Sequence, residues 1–156
     1  KYKNLWHHGD YAEITKNGGF VIYGRSDATL NPGGVRLGTS EIYSVVNKFH
    51  EILDSIVIGQ QWDGDIRIVL FVVLKKEIEL TENLKVKLKK KIRQEASPRH
   101  VPAKIISVLD VPRTKNGKIV ELAVKNLVDG NEINNKDALA NPEVLDQFKD
   151  IKELSY

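Results

Sequence analysis

Two basic loops that contain glycine carry the residue types needed to contact a phosphate group. The first, residues 24–36, includes Gly33 and Gly34, and the second, residues 112–118, reads Pro-Arg-Thr-Lys-Asn-Gly-Lys and ends at Lys118. Glycine lets the backbone approach an anion closely while a long cationic side chain reaches the same anion. The pattern makes Lys118 a candidate phosphate contact, although Gly-Lys pairs also occur in many surface turns and the loop lacks the glycine spacing of a P-loop.

Other polar residues are weaker candidates for chemistry. Residues 85–93 contain five lysines and one arginine, a run that is typical of a solvated helix face but could also attract a polyanion. His7 and His8 precede Asp10, but neighbouring residues on a strand point to opposite faces and no third nitrogen ligand is placed nearby, so we predict no metal site there. His100 has no carboxylate or nucleophile at a recognisable spacing, which favours a structural role.

Length and composition define the class of protein. The chain has 156 residues, a formal net charge of +3, 41% hydrophobic and 29% charged residues, which is enough for one compact soluble domain, or for one domain plus an appendage. Its longest apolar run, residues 68–74, is far shorter than the roughly 20 residues needed to cross a bilayer. With no cysteine and no secretory leader, a cytoplasmic location is expected. The absence of methionine, even at position 1, favours a fragment of a longer protein.

Hydrophobic periodicity predicts the strands that position these loops. Two are expected at residues 11–14 and 20–23, around a turn with two glycines, and three more at residues 55–58, 66–74 and 104–109. The apolar run within the fourth of these strands is uninterrupted rather than alternating. It therefore predicts a central strand that is covered on both faces.

Helices are expected before, between and after the last three strands. Thr39 and Thr81 are predicted N-caps, and apolar residues four apart give the second helix a buried face beside its lysines. A third helix begins near Val120 and ends with Gly130 at C′, and a short terminal helix begins at Asn141. The fold class that follows is α+β: a small domain with a three-stranded sheet packed by helices, preceded by a β-hairpin.

Taken in chain order, four motifs resemble the C-terminal signature series of the adenylate-forming superfamily, which includes the acyl-CoA synthetases. They are His-Gly-Asp at 8–10, Gly-Arg-Ser-Asp at 24–27, Gly-Val-Arg-Leu-Gly-Thr-Ser-Glu-Ile at 34–42 and the loop at 112–118. The resemblance implies that residues 1–26 are the last strands of a large N-terminal domain and that residues 27–130 are a mobile C-terminal lid domain. Residues 131–156 would then be a linker and a helical extension.

Two further segments narrow the resemblance to ligases that act on acetoacetate: residues 97–102, Ser-Pro-Arg-His-Val-Pro, and residues 141–148, Asn-Pro-Glu-Val-Leu-Asp-Gln-Phe. The implied reaction has two steps. Acetoacetate attacks the α-phosphorus of ATP to give an acyl-adenylate and pyrophosphate, and the thiol of coenzyme A then displaces AMP to form acetoacetyl-CoA. In this superfamily the C-terminal domain turns about a hinge and presents a different face to each step.

The resemblance assigns roles in the first step by motif. Lys118 would be catalytic, bridging the substrate carboxylate and the α-phosphate, where an ammonium neutralises two anions that repel each other. Asp10 would accept hydrogen bonds from the ribose of the nucleotide, and Arg25 would donate to the same sugar. Asp27 would be the hinge.

The second step involves other residues. Gly34 would line the tunnel for the pantetheine arm of coenzyme A, where a side chain would obstruct the thiol, and Arg36 would contact a nucleotide phosphate. Arg93 would contact the 3′-phosphate of coenzyme A, so that the basic helix steers this substrate electrostatically.

The remaining parts of the enzyme are expected in the N-terminal domain: the phosphate loop for ATP, the pocket for the acid and the Mg ligands. The expected partners are that domain, acetoacetate, ATP and coenzyme A, with no nucleic acid or membrane, and the chain alone is expected to be inactive. Two other interpretations stay open: a ligase for another short acid such as acetate or butyrate, and a non-enzymatic basic module that binds RNA or an acidic partner through residues 85–93. Few aromatic residues are available to stack on single-stranded RNA.

Overall fold

Two sheets organise the chain: a two-stranded hairpin near its beginning, and a three-stranded sheet that helices cover on both faces. This is the α+β architecture that the sequence predicts. A computed structural model describes residues 8–26, 28–133 and 136–155, so that His7 and the predicted hinge, Asp27, lie outside the described residues. None of the helices in the described ranges combines the length and the hydropathy needed to span a bilayer.

The hairpin consists of strand β1 (Asp10–Ile14) and strand β2 (Phe20–Arg25), which pair antiparallel. Its turn is closed by the Thr15 N–H, which donates to the carbonyl of Gly19 at 2.8 Å. The strand–turn–strand prediction is confirmed. Each strand extends by one or two residues beyond the predicted range.

The larger sheet contains β3 (Ile52–Trp62), β4 (Asp65–Leu74) and β5 (Lys104–Val108). Strand β4 pairs antiparallel with β3 and parallel with β5, so it is the central strand. Residues 68–73 of β4 are all buried, which confirms that both faces of this strand are covered. Strand β3 is 11 residues long, because its pairing with β4 continues to the turn that joins them.

Helices α1 (Thr39–Val46) and α2 (Glu82–Glu95) cover one face of this sheet. The buried residues of α2 are Leu84, Leu88 and Ile92, which are spaced four apart and therefore lie on one side of the helix. The five lysines of α2 all lie outside this buried row. The predicted amphipathic helix is confirmed.

The two predicted N-caps have different outcomes. The Thr81 hydroxyl accepts a hydrogen bond from the Leu84 N–H at 3.2 Å and caps α2 as predicted. The prediction for Thr39 is wrong, because Gly38 is the N-cap of α1 and Thr39 is its first helical residue. A Cβ atom at Gly38 would lie 2.5 Å from the carbonyl oxygen of Tyr23, so glycine allows the start of α1 to pack against β2.

The opposite face of the sheet is covered by helix α3 (Glu121–Val128) and by residues 136–155, which we call the C-terminal segment. Phe148 is fully buried and meets Phe71 of β4 edge to face, with ring centroids 5.0 Å apart. Gly130 follows the C-cap of α3, as predicted. The predicted terminal helix is present as a 3-10 helix, Pro142–Phe148.

Candidate functional site

Residues 112–118 form a tight turn, which we call the Lys118 turn. The Thr114 N–H donates to the carbonyl of Lys118 at 2.8 Å, and the Gly117 N–H donates to the carbonyl of Thr114 at 2.8 Å. The Lys118 N–H also donates to the Thr114 hydroxyl, at 3.1 Å. The hydroxyl and the reciprocal backbone bonds define the shape of the turn.

The side chain of Lys118 is exposed at this turn. Within the ranges 8–26, 28–133 and 136–155, no carboxylate pairs with its ammonium. The charge is therefore available to an anion that comes from outside the described part of the chain.

Arg113 connects the Lys118 turn to the sheet. Its guanidinium donates to the carbonyl of Gly117 at 2.7 Å and forms an ion pair with Asp54 of β3. Charge-assisted hydrogen bonds of this kind are stronger than neutral ones and have a defined geometry. The position of the turn relative to the sheet is therefore set by a pair of residues that are 59 apart in the sequence.

The C-terminal segment holds the Lys118 turn from its other side. The Ala140 N–H donates to the carbonyl of Arg113 at 2.8 Å, and the Lys115 N–H donates to the carbonyl of Ala138 at 3.3 Å. The side-chain oxygen of Asn141 accepts a hydrogen bond from the Arg113 N–H at 2.8 Å. Both sides of the turn are thus fixed by other parts of the domain.

Asp10 and Arg25 are register partners at one end of the β1–β2 hairpin. The Asp10 carboxylate contacts Nδ1 of His8 at 2.6 Å, and the Arg25 guanidinium donates to the carbonyl of His8 at 3.1 Å. A Cβ atom at Gly9 would lie 3.1 Å from the same guanidinium. The fold therefore brings together the carboxylate and the cation that the motifs assign to one sugar.

Gly34 lies in a loop, residues 30–37, which we call the glycine loop; its residues 33–36 are exposed and its ends, Leu30 and Leu37, are buried. Gly34 has a φ of +76°, a backbone conformation that residues other than glycine rarely adopt. The loop is closed by backbone hydrogen bonds between Leu30 and Leu37, and the Gly33 N–H donates to both carboxylate oxygens of Asp65 at 3.0 and 2.9 Å. The sequence did not identify Asp65, although it follows Asp-Gly in the connection between two predicted strands.

The Lys118 turn and the glycine loop are attached at opposite ends of β3. Arg113 attaches the first to Asp54, near the beginning of the strand, and Asp65, the register partner of Trp62, attaches the second at its end. About eight residues of extended strand separate Asp54 from Trp62, which corresponds to about 27 Å. The domain therefore presents two separate surfaces, each with its own candidate residues.

Residues 41–118 match the profile of the AMP-binding enzyme C-terminal domain, which is half of the chain. The chain belongs to this family. The matched region contains the three-stranded sheet and α2, and it ends at Lys118. Three parts of the chain lie outside the matched region: the hairpin, the glycine loop, and the C-terminal segment that supports the Lys118 turn.

Several acetoacetyl-CoA synthetases are similar to almost the whole of this chain. An acetoacetyl-coenzyme A synthetase of Rhizobium meliloti is 59% identical over 154 residues, which cover 99% of this chain and 24% of that protein. An acetoacetyl-CoA synthetase of Xenopus tropicalis is 46% identical over 156 residues, which cover 99% of this chain and 23% of that protein. The solved structure of an acetoacetyl-CoA synthetase from Streptomyces lividans has a TM-score of 0.86 and 36% identity, covering 96% of this chain and 23% of that one. The chain thus spans about a quarter of the length of these relatives.

Arg93 lies on the exposed side of α2 in this domain, away from the buried row. The charge of the helix is partly neutralised, because Lys48 and Lys91 both contact Glu95, at 2.7 and 2.6 Å. Their hydrogen bonds hold the pKa of the Glu95 carboxyl below its usual value. Among the described residues Arg93 forms no ion pair, so it adds to the net positive charge of this face.

Two polar contacts inside the domain were not foreseen. His100 is buried, with Nδ1 2.8 Å from the Ser97 hydroxyl and Nε2 2.8 Å from the Glu41 carboxylate. The contact joins the start of α1 to the segment after α2 and gives His100 a structural position. No local signal predicts it, because Glu41 is 59 residues away in the sequence.

The second unforeseen contact joins three elements. The Tyr43 hydroxyl of α1 donates to the Glu121 carboxylate of α3 at 2.5 Å and accepts from the Val57 N–H of β3 at 3.0 Å. Burial, followed by the charge of Glu121, raises the pKa of Tyr43 well above its usual value of about 10. Tyr43 is therefore a neutral donor throughout the neutral pH range.

Proposed function

We propose that the chain is the C-terminal part of an AMP-forming acetoacetate–CoA ligase. The complete enzyme converts acetoacetate, ATP and coenzyme A to acetoacetyl-CoA, AMP and pyrophosphate through an acetoacetyl-adenylate. Membership of the AMP-binding enzyme C-terminal domain family supports the reaction class. The observation that carries the choice of substrate is the similarity of 99% of the chain to acetoacetyl-CoA synthetases, at 59% and 46% identity.

In the first half-reaction a carboxylate oxygen of acetoacetate attacks the α-phosphorus of ATP, and pyrophosphate leaves. Negative charge is concentrated between two groups that repel each other as the new bond forms. The ammonium of Lys118 neutralises this charge, and it contributes most in the transition state. Its side chain is exposed on a fixed turn and forms no ion pair with any residue that the structure describes, which supports this role.

The nucleotide sugar is bound by the hairpin in this proposal. Asp10 accepts hydrogen bonds from the ribose hydroxyls, and Arg25 donates to the same sugar. The register pairing of these two residues supports their sharing one ligand. Asp27 is the proposed hinge about which the domain turns between the two half-reactions.

In the second half-reaction the thiol sulfur of coenzyme A attacks the acyl carbon of the adenylate, the thiol proton is lost, and AMP leaves with the oxygen that had bridged the two groups. Gly34 lines the path of the thiol, and Arg36 contacts a phosphate of the nucleotide. Arg93 contacts the 3′-phosphate of coenzyme A. The separation of about 27 Å between the anchors of the Lys118 turn and the glycine loop supports the use of a different face in each half-reaction.

The N-terminal domain of the complete enzyme is the proposed partner of this chain. Ile14, Phe20 and Ile22 of the hairpin are 69%, 71% and 60% exposed, which supports contact with further protein. Among the residues that the structure describes, no group of three or more His, Asp or Glu side chains could hold a metal ion, so no step is assigned to Mg in this chain. We place the enzyme in the cytoplasm, where it would activate a ketone body for lipid metabolism.

An assay of the complete enzyme with a panel of acids tests the proposed substrate. Acetoacetate, acetate and butyrate are each supplied with ATP and coenzyme A, and AMP and thioester are measured. We expect kcat/KM to be highest for acetoacetate by at least about tenfold, since one methylene or one polar contact changes discrimination by this order. A higher kcat/KM for acetate or butyrate would instead identify a ligase for that acid.

A further inference from the structure

We propose that Asn141 is a positioning residue for Lys118, so that the C-terminal segment takes part in adenylation. This inference rests on the proposed catalytic role of Lys118. Asn141 is not proposed to touch the reacting atoms. It acts on them through the backbone of the Lys118 turn.

The side chain of Asn141 uses all of its hydrogen-bonding groups on one stretch of chain. Its oxygen accepts from the Arg113 N–H at 2.8 Å. Its amide nitrogen donates to the Asp110 carboxylate at 3.1 Å and to the carbonyl of Val111 at 3.0 Å. The amide therefore has one acceptable orientation, because turning it over would place its NH2 group against the Arg113 N–H.

The hydrogen bond from the Arg113 N–H connects Asn141 directly to the Lys118 turn. The Arg113 guanidinium donates to the carbonyl of Gly117, the residue before Lys118, and pairs with Asp54. Asn141 thus holds the backbone of Arg113, and the side chain of Arg113 in turn holds the end of the Lys118 turn. The long side chain of Lys118 needs such support, because an ammonium on a mobile backbone would seldom be in the geometry that the transition state requires.

The segment that carries Asn141 is itself firmly packed. Leu139 and Leu145, on either side of Asn141, are 7% and 2% exposed and pack against Ala123 of α3. Leu139 also forms a backbone bridge with Thr114 of the Lys118 turn. These contacts therefore hold the Lys118 turn in a defined position relative to the core.

Gln147 provides a matched control on the same segment. Its side chain also makes three hydrogen bonds: it accepts from the Leu109 N–H at 2.7 Å and donates to the carbonyls of Asp110 and Val144, both at 3.0 Å. Within the described residues it makes none to the Lys118 turn. Both amide side chains are half-buried, and replacing either by alanine removes three hydrogen bonds. The two replacements differ mainly in whether the Arg113 N–H loses its acceptor.

The test compares Asn141→Ala and Gln147→Ala in the complete enzyme, with the two half-reactions measured separately. We expect Asn141→Ala to lower the kcat of acetoacetate-dependent exchange between ATP and pyrophosphate by about tenfold to a hundredfold, the range of a misplacement near 1 Å. Thioester formation from supplied acetoacetyl-adenylate should stay within about twofold of the unaltered enzyme. Gln147→Ala should stay within about twofold in both half-reactions.

Hydrogen exchange of backbone amides gives a readout apart from activity. Exchange across residues 112–118 should become faster in Asn141→Ala, whereas Gln147→Ala should affect residues 109–111 instead. If Asn141→Ala does not fold, Asn141→Ser takes its place. Serine is also favoured at the N-cap of the helix Pro142–Phe148, but its single hydroxyl cannot replace both donor bonds and the acceptor bond of the amide. This variant should show the same selective loss of ATP–pyrophosphate exchange as Asn141→Ala.

The outcomes separate this inference from the proposed function. If Lys118→Ala abolishes ATP–pyrophosphate exchange but Asn141→Ala leaves it within about twofold, Asn141 does not position the lysine and the proposed function stands. If Asn141→Ala and Gln147→Ala impair both half-reactions equally, Asn141 contributes only to general stability and the inference is overturned. The same holds if Asn141→Ser is used instead and leaves ATP–pyrophosphate exchange within about twofold of the unaltered enzyme. If Lys118→Ala itself retains exchange, the proposed function fails, and this inference fails with it.

Discussion

Gly34 is the residue at which conformation and proposed chemistry can be separated most cleanly. Its φ of +76° disfavours any side chain, but no heavy atom lies within 4 Å of where its Cβ atom would be. A substitution would therefore strain the backbone without a clash inside the described part of the domain. Alanine introduces this strain with little bulk, whereas leucine introduces the strain and would also extend into the proposed path of the thiol.

We predict that Gly34→Leu in the complete enzyme abolishes thioester formation from acetoacetyl-adenylate and leaves ATP–pyrophosphate exchange largely intact. Gly34→Ala should reduce thioester formation much less, because the strain of a positive φ is only about 1 kcal/mol. Both half-reactions are measured for both variants. Equal thioester activity in the leucine and alanine variants would show that the bulk of the side chain does not matter and that no tunnel passes Gly34.

The candidate residues could be predicted only where they belong to short motifs. Lys118 and Gly34 stand inside contiguous patterns, and the sequence identifies them without reference to the fold. Asn141 and Asp54 could not be identified in this way, because they are 28 and 59 residues from Arg113 and meet it only in the folded sheet. Support for a catalytic turn is a property of tertiary structure.

Among the secondary-structure elements, α1, β3 and α3 are connected by one side chain. The Tyr43 hydroxyl bonds to Glu121 and to the Val57 N–H in the partly buried space between them. Its replacement by phenylalanine keeps the ring but leaves the Val57 N–H without this acceptor. A cost of about 1–3 kcal/mol in the free energy of unfolding is expected at neutral pH.

The raised pKa of Tyr43 predicts how this stabilisation depends on pH. Above pH 10 the unfolded chain loses the phenolic proton while the folded chain retains it, so the stabilisation is complete below pH 10 and is lost as the pH rises further. We predict that the difference in unfolding free energy between the unaltered chain and Tyr43→Phe decreases by about 1.4 kcal/mol per pH unit above pH 10. Urea denaturation between pH 8 and 11 measures it, and a constant difference over this range would contradict the assignment.

The elements themselves follow largely from periodicity. The buried row of α2, the cap at Thr81 and the central strand β4 agree with the sequence pattern, because each depends on residues that are close in the chain. The start of α1 does not, since the close approach of Gly38 to Tyr23 decides it. The polar end of β3, residues 59–62, is also not predicted, because pairing with β4 rather than an apolar run keeps it extended.

For the whole molecule, the central feature is the arrangement of two candidate loops at opposite ends of one strand of the larger sheet. Residues 136–155 pack on the same sheet as α3, so that the C-terminal segment contributes to the core through Phe148 and Leu154. The domain boundaries at 27 and 131 stay predictions. The chain spans about a quarter of its named relatives, which agrees with the prediction of a fragment.

The catalytic assignment of Lys118 is tested most directly by separating the two half-reactions in the complete enzyme. We compare Lys118→Ala with Lys115→Ala, which removes an exposed lysine from the same turn. We predict that Lys118→Ala lowers acetoacetate-dependent ATP–pyrophosphate exchange by at least about a thousandfold and leaves thioester formation from supplied acetoacetyl-adenylate within about threefold. Lys115→Ala should change neither, and the 156-residue chain alone should show no exchange. Equal loss of both half-reactions in Lys118→Ala, or exchange activity that survives without this ammonium, would show that Lys118 is not the catalytic cation of adenylation.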